Sequence, residues 1–193
     1  MNLRTISFSI ATSAAVLLPA AALAETLAFR APASKVEFTG KKVVGKHDGG
    51  FNQFTGKIDL GPGAKIEGGK VSVEIDLASV YTDTDKLTEH LRSPDFFDVA
   101  KYPKARFVSN RIAKKGDVYE ITGELDFHGV KRTLTFPARI AVTPAAVSAD
   151  AEFQFNRKDF GVAYPGMPDN LISDMVTMRL AVQAPRSPRQ DVN

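Results

Sequence analysis

Val71-Ser72-Val73-Glu74-Ile75-Asp76-Leu77 alternates apolar and polar side chains without a miss. Side chains in a β-strand point to opposite faces in turn, so such a stretch builds one greasy face and one wet face. The same period recurs on both sides of it. Val36 and Phe38 alternate with Lys35, Glu37 and Thr39, and Phe54, Ile58 and Leu60 alternate with Thr55, Lys57 and Asp59, with Gly56 in the apolar row. Tyr119, Ile121, Leu125 and Phe127 form a further row that holds Gly123, followed by Leu134-Phe136-Ala138-Ile140, Val147 to Phe155, and Val176-Met178-Leu180-Val182. Strands wet on one side belong to an antiparallel sheet, because buried parallel strands are apolar on both sides.

Turn-forming residues punctuate the rows at Asp48-Gly49-Gly50, Gly61-Pro62-Gly63, Gly68-Gly69, Gly116-Asp117, His128-Gly129 and Thr143-Pro144. Long strands joined by short turns imply a meander that closes into a barrel or stacks as a sandwich. The length of the strands and the wealth of Phe in the apolar rows favour a barrel with a cavity, and the glycines within strands suit the bends at barrel corners. One segment leaves the β pattern. Thr84 or Asp83 caps an expected helix from Asp85 to about Arg92, with Leu87 and Leu91 on one face. Ser93-Pro94-Asp95 reads as a second helical start, and Phe96 and Phe97 are expected to plug against the barrel.

The chain has 193 residues, 44% hydrophobic and 24% charged, with 25 Lys+Arg against 22 Asp+Glu. This suits a folded globular body and excludes intrinsic disorder. The absence of cysteine rules out disulfides, thiolate metal sites, a cysteine nucleophile and a lipoprotein anchor. Met1 to Ala24 carries Arg4 near its start, an apolar stretch from Ile6 to Leu18, and an Ala22-Leu23-Ala24 cleavage pattern. It reads as a cleavable signal peptide rather than a retained anchor, since the apolar stretch is short and broken by Ser and Thr. The expected organisation is a signal peptide over 1–24, one barrel domain over 25–183 and a flexible tail over 184–193. An exported protein without cysteine suits the bacterial periplasm. No Lys/Arg cluster interleaves with aromatics, which argues against a nucleic-acid partner.

Motifs of catalysis are weak. His47, His90 and His128 fit no metal-ligand spacing, so no metal is expected. Asp159-Phe160-Gly161 shares letters with a kinase magnesium loop but lacks its context. It reads as a tight turn, with Asp159 capping and Gly161 at positive φ, or as part of a barrel mouth closed by an Arg157–Asp159 pair. No serine stands in a nucleophile elbow, and the carboxylates lie on the wet faces. The residues alone leave two readings of the apolar interior, a dry core or a ligand-holding cavity.

A longer stretch bears on that choice. Glu89-His90-Leu91-Arg92-Ser93-Pro94-Asp95-Phe96-Phe97-Asp98-Val99, followed by Lys101-Tyr102-Pro103, closely resembles the signature of the YceI-like family of exported, lipocalin-like bacterial proteins that bind polyisoprenoids. Phe54 to Leu60, Val71 to Val80, Ile121 to Val130, Asn156 to Gly161 and Ile172 to Asp174 resemble the family's other segments in the same order. The resemblance implies a mainly β protein, an extended antiparallel eight-stranded lipocalin-like barrel with a short helical lid. It implies a non-enzymatic carrier or sequestering protein whose tunnel holds an isoprenoid quinone or similar long-chain amphiphilic lipid, with no cofactor besides that ligand. The expected tunnel lining is Phe38, Phe54, Ile58, Val73, Ile75, Phe107, Tyr119, Ile121, Leu125, Phe153, Phe155, Met178 and Leu180. His90, Arg92, Arg157 and Asp159 are the mouth and head-group candidates. Transient contact with a membrane surface and a homodimer are the further partner readings. The rivals are a lipid-modifying enzyme with His90 or His128 as base, and an envelope-stress interaction scaffold without ligand. Two segments depart from the family pattern, both expected near the mouth: Val44 to Gly50, and Tyr164-Pro165-Gly166-Met167-Pro168.

Overall fold

The computed structural model describes residues 25–168 and 170–186. The expected signal peptide (1–24) and the end of the expected tail (187–193) lie outside the described residues. Among the described residues, twelve β-strands and one α-helix follow in chain order: β1 (Thr26–Arg30), β2 (Lys35–Lys42), β3 (Lys46–Phe51), β4 (Phe54–Asp59), β5 (Lys70–Asp76), β6 (Val80–Thr82), α1 (Asp85–Arg92), β7 (Lys104–Lys115), β8 (Val118–Phe127), β9 (Val130–Val142), β10 (Ala146–Asn156), β11 (Gly166–Met167) and β12 (Asn170–Pro185).

Every pairing is antiparallel. The strands run in the order β1-β4-β5-β7-β8-β9-β10-β12-β2-β3-β6, with β11 beside β12. The sheet curls because β1 and β2 are one N-terminal ribbon bent at residues 31–34. β1 closes on β4 while β2 closes on β12. Ser34, 1% exposed, pins this corner: its hydroxyl donates to the Gln183 carbonyl and accepts from the Gln183 N–H. Counted as one bent strand, β1 and β2 complete an eight-walled curl. The count exceeds the expected eight because that strand is broken at the corner and because β3, β6 and β11 are short additions.

Local chemistry explains the joins. His128 (φ 53) and Gly129 (φ 75) form a two-residue turn with both residues left-handed, the hairpin geometry whose twist matches the flanking strands. Four sequence expectations need correction. Asp48-Gly49-Gly50 is not a turn but the middle of β3. A Cβ at Gly49 would overlap the Phe38 ring, and one at Gly50 would overlap Tyr81, so these glycines make room for neighbouring rings. Gly56 does the same under Phe29, and Gly123 under Phe107, a packing role rather than the corner bends expected of them. Residues 93–97 form successive turns instead of a second helix. Ser93 spends its hydroxyl on the His90 carbonyl and on the Asp95 N–H, and Asp98 (φ 46) reverses the chain. The last strand runs to Pro185, past the expected start of the tail. Ala184 is fully buried against Val147.

The helix forms where expected. Thr84 caps it by accepting from the Leu87 N–H, and Leu91 is buried beneath it. Thr88 bonds to Thr82, and Arg92 donates to the Val80 carbonyl, so the helix is tied to β6.

Candidate functional site

The interior divides into a closed end and a hollow end. At the closed end Leu27, Ile58, Ile112, Ile121, Ala138, Val147 and Ala184 are each 6% exposed or less. At the other end large inward-facing side chains stay only half-buried although they point into the curl: Phe38, Val73, Ile75, Phe107, Leu125, Phe153, Phe155, Met178 and Leu180. Close-packed interiors do not leave such residues accessible. They face a cavity of about 630 Å³, within the range of roughly 300–1,000 Å³ typical of small-molecule sites.

Nine expected lining residues therefore meet around one space, the nine just named. Four do not. Phe54, Ile58 and Ile121 are sealed in the core, at 5%, 3% and 6% exposure, and Tyr119 stands opposite Ala138 toward the closed end. Alternation marks which face a residue takes but not how far along the strand the hollow extends. Leu134, Phe136, Val176 and Val182 also line the cavity, and they stand in the same alternating rows as the expected set. Phe127, the last residue of the β8 row, lines it as well. Phe29, Phe51, Phe96, Phe97 and Val162 complete the wall; they arrive from short strands, turns and a loop that carry little periodic signal.

Aromatic rings build the walls. Phe136 and Phe153 stack at 4.2 Å and 13°. They bridge a split in the sheet, since β9 and β10 pair only over Arg139–Val142 and Val147–Asp150. Phe38, Phe51, Phe97, Phe127, Phe160 and Phe155 form a continuous chain of ring contacts with centroids 5.5–6.1 Å apart. Offset and edge contacts of this kind add to the burial of the rings themselves. Phe160, 1% exposed, is the wedge of the Asn156–Gly161 turn. Asn156 rather than Asp159 caps that turn, accepting from the Lys158 N–H, while Gly161 (φ 78) takes the left-handed position expected of it.

The lid is α1 with the turns after it. Leu87, His90, Leu91, Phe96 and Phe97 line the cavity from above. His90 Nε2 lies 2.9 Å from Asp95, and its ring sits edge-on to both Phe96 and Tyr164, at 4.9 and 5.0 Å. The lid is thereby latched to the loop before β11.

Of the mouth candidates, His90 and Arg157 line the cavity, whereas Arg92 and Asp159 do not. Arg92 is used by Glu89 and the Val80 carbonyl; Asp159 is exposed at the surface of its turn. The expected Arg157–Asp159 pair does not form. Arg157, 4% exposed, donates to the carbonyls of Ser173, Val162 and Ile172 and lies 3.6 Å from Asp174. Its guanidinium staples the loop at Val162 to the irregular start of β12. Burial lowers its pKa, opposed by the Asp174 charge. His128 is not in the lining. Its Nδ1–H donates to the Phe160 carbonyl at 3.1 Å and its ring packs on Tyr102. At the rim stand Lys41, Lys42, His47, Thr84, Lys86, Tyr164, Gly166 and Met167. Of these, His47 is held by Asp83 at 2.8 Å.

Residues 28–184 match the model of the YceI-like domain. The chain belongs to the YceI-like family. A UPF0312 protein of Pseudomonas putida strain F1 is 35% identical over 125 residues, which make up 61% of this chain and 65% of that relative's length. A UPF0312 protein of Shewanella denitrificans is 44% identical over 92 residues, 47% of each chain. Among solved structures, BcnA of Burkholderia cenocepacia superposes with a TM-score of 0.70 at 29% identity, covering 78% of this YceI-like chain and 96% of BcnA. A polyisoprenoid binding domain from Saccharophagus degradans, implicated in plant cell wall breakdown, shares the fold at TM-score 0.68 and 16% identity, covering 84% of this chain and all of that one.

Proposed function

We propose that this YceI-like protein is a carrier or sequestering protein for a long-chain isoprenoid lipid, such as a quinone, in the bacterial periplasm. The observation that carries the reading is the hollow end of the curl: a cavity of about 630 Å³ walled by Phe, Leu, Ile, Val and Met beneath a helical lid. The likeness in fold to a polyisoprenoid binding domain supports the choice of ligand class. The export signal expected at 1–24 supports the compartment.

The energetics suit a flexible apolar tail. Burial contributes about 0.8 kcal/mol per CH₂, so a five-carbon isoprene unit contributes up to about 4 kcal/mol. Micromolar affinity needs about 8 kcal/mol, and association costs a further ~4–15 kcal/mol. Three or four buried units (roughly 12–16 kcal/mol) span the lower part of that requirement. The walls offer no directional chemistry along a tail, so chain length sets affinity. No catalytic step is assigned: His128 lies outside the cavity, and His90 is engaged by Asp95 and two rings.

Titration with isoprenoid quinones of increasing tail length tests this. Affinity is expected to climb with each added unit and then level off once the cavity is full. Affinity independent of tail length would overturn the reading.

A further inference from the structure

Two hairpin tips flank the cavity mouth, and both carry large apolar side chains facing solvent. Val43 and Val44, between β2 and β3, are 70% and 73% exposed; Met167 and Leu171, from β11 and β12, are 63% and 50% exposed. The tips are joined, because the Val43 N–H donates to the Leu171 carbonyl at 3.1 Å. They border the mouth, since Lys41, Lys42, Gly166 and Met167 all line the cavity. Isolated exposed apolar residues are ordinary, but a contiguous group at one rim marks an interaction surface.

The charge around this patch selects the partner. Lys41, Lys42 and Lys46 surround the two valines, and Lys86 stands on the lid. Lys41, Lys42 and Lys86 enter no ion pair among the described residues. Among the described residues, Asp48 pairs with Lys46 and Asp83 holds His47, while Asp85 stands in the first turn of the lid helix. An apolar tip ringed by flexible ammonium groups matches the layering of an anionic bilayer, whose headgroups attract lysine while the region beneath accepts apolar side chains.

We propose that the exposed side chains of Val43, Val44, Met167 and Leu171 dock the protein on an anionic lipid bilayer, with the cavity mouth facing the membrane. Docking in this orientation lets an apolar tail pass between bilayer and cavity without crossing water. Only that purpose rests on the lipid-carrier reading; the docking stands on the patch itself. Each lysine near an anionic surface strengthens binding by roughly fivefold, and the gain fades as salt rises.

The test is flotation of the purified protein with phosphatidylcholine vesicles, with and without phosphatidylglycerol. The protein is expected to float with the phosphatidylglycerol vesicles, less so at high salt. The double variant Val43→Asp/Val44→Asp is expected to lose at least ~tenfold in binding while keeping its melting temperature and its uptake of detergent-dispersed quinone. No flotation with phosphatidylglycerol vesicles, or undiminished flotation of the double variant, would overturn the proposal. So would a dimer in sedimentation analysis that the double variant abolishes, since the patch would then belong to a second copy of the chain. Failure of the carrier reading reads out separately, as vesicle binding without quinone uptake.

Discussion

Gly40 offers a way to fill the cavity without disturbing the wall. It sits in β2 opposite Val176 on one side and His47 on the other, on the same face as Phe38, and it lines the cavity. No atom lies within 4 Å of a Cβ built there. A Gly40→Phe substitution would therefore project a ring into open space. Relieving a strand of glycine gains roughly 0.5–1 kcal/mol, so the melting temperature should hold or rise. The ring would displace about one isoprene unit, worth about 4 kcal/mol or nearly a thousandfold in affinity. The assay is a titration of wild type and variant with the same long-tailed quinone, with thermal unfolding as the control. A ligand that bends around the ring would soften the loss, but at least ~tenfold should remain. A folded Gly40→Phe variant that binds the long tail as tightly as wild type would refute the claim that the hollow end is the binding site.

Ile121→Arg places an unpaired charge in the closed end, where Ile121 is 6% exposed. The expected outcome is loss of the folded protein, at a cost of about 4 kcal/mol or more, and a soluble variant of near-normal stability would contradict the division of the interior. Arg157→Met strips the donors from the Val162, Ile172 and Ser173 carbonyls. Urea unfolding should show a loss of about 3–5 kcal/mol, with faster amide exchange at the mouth loop, and a loss under about 1 kcal/mol would show that the staple is dispensable. The Lys104 ammonium, and then the Arg106 guanidinium, hydrogen-bond to Glu74 and hold its carboxyl below the ordinary value of 4.5. A carboxyl lowered in the folded state stabilises fully above 4.5 and loses that contribution as pH falls through the lowered value. Glu74→Gln should thus cost no more than about 1 kcal/mol near neutrality, the pairs being solvent-screened, and nothing at low pH; a difference that grows on acidification would reverse the sign.

The strands were legible wherever one face is wet and one dry, as in β5, β8 and β10, because the pleat forces a period of two. The helix was legible because Thr84 is a good cap and Leu87 and Leu91 are one turn apart. β3 was hidden by Gly49 and Gly50, whose composition signals a turn and whose actual use is to seat rings from Phe38 and Tyr81. Such pairings join residues distant in sequence and leave no local mark. The cavity was half legible. Facing direction separates Phe107 from Val108, but nothing in the alternation separates Phe107, which borders the hollow, from Ile121, which seals it. That difference depends on how far β9 and β10 splay and on which rings the lid inserts. Arg157 shows the same limit at the mouth. Its nearest acid in sequence is Asp159, yet the fold hands it the carbonyls of a loop and of β12.

What fills the hollow end decides the function of the protein. A mass spectrum of the organic extract of protein purified from its native host tests this most directly. The expected extract holds a long-chain isoprenoid lipid at close to one molecule per protein, greatly reduced in Gly40→Phe. Wild-type protein that yields no lipid, and takes up none when quinone is supplied, would contradict the carrier reading.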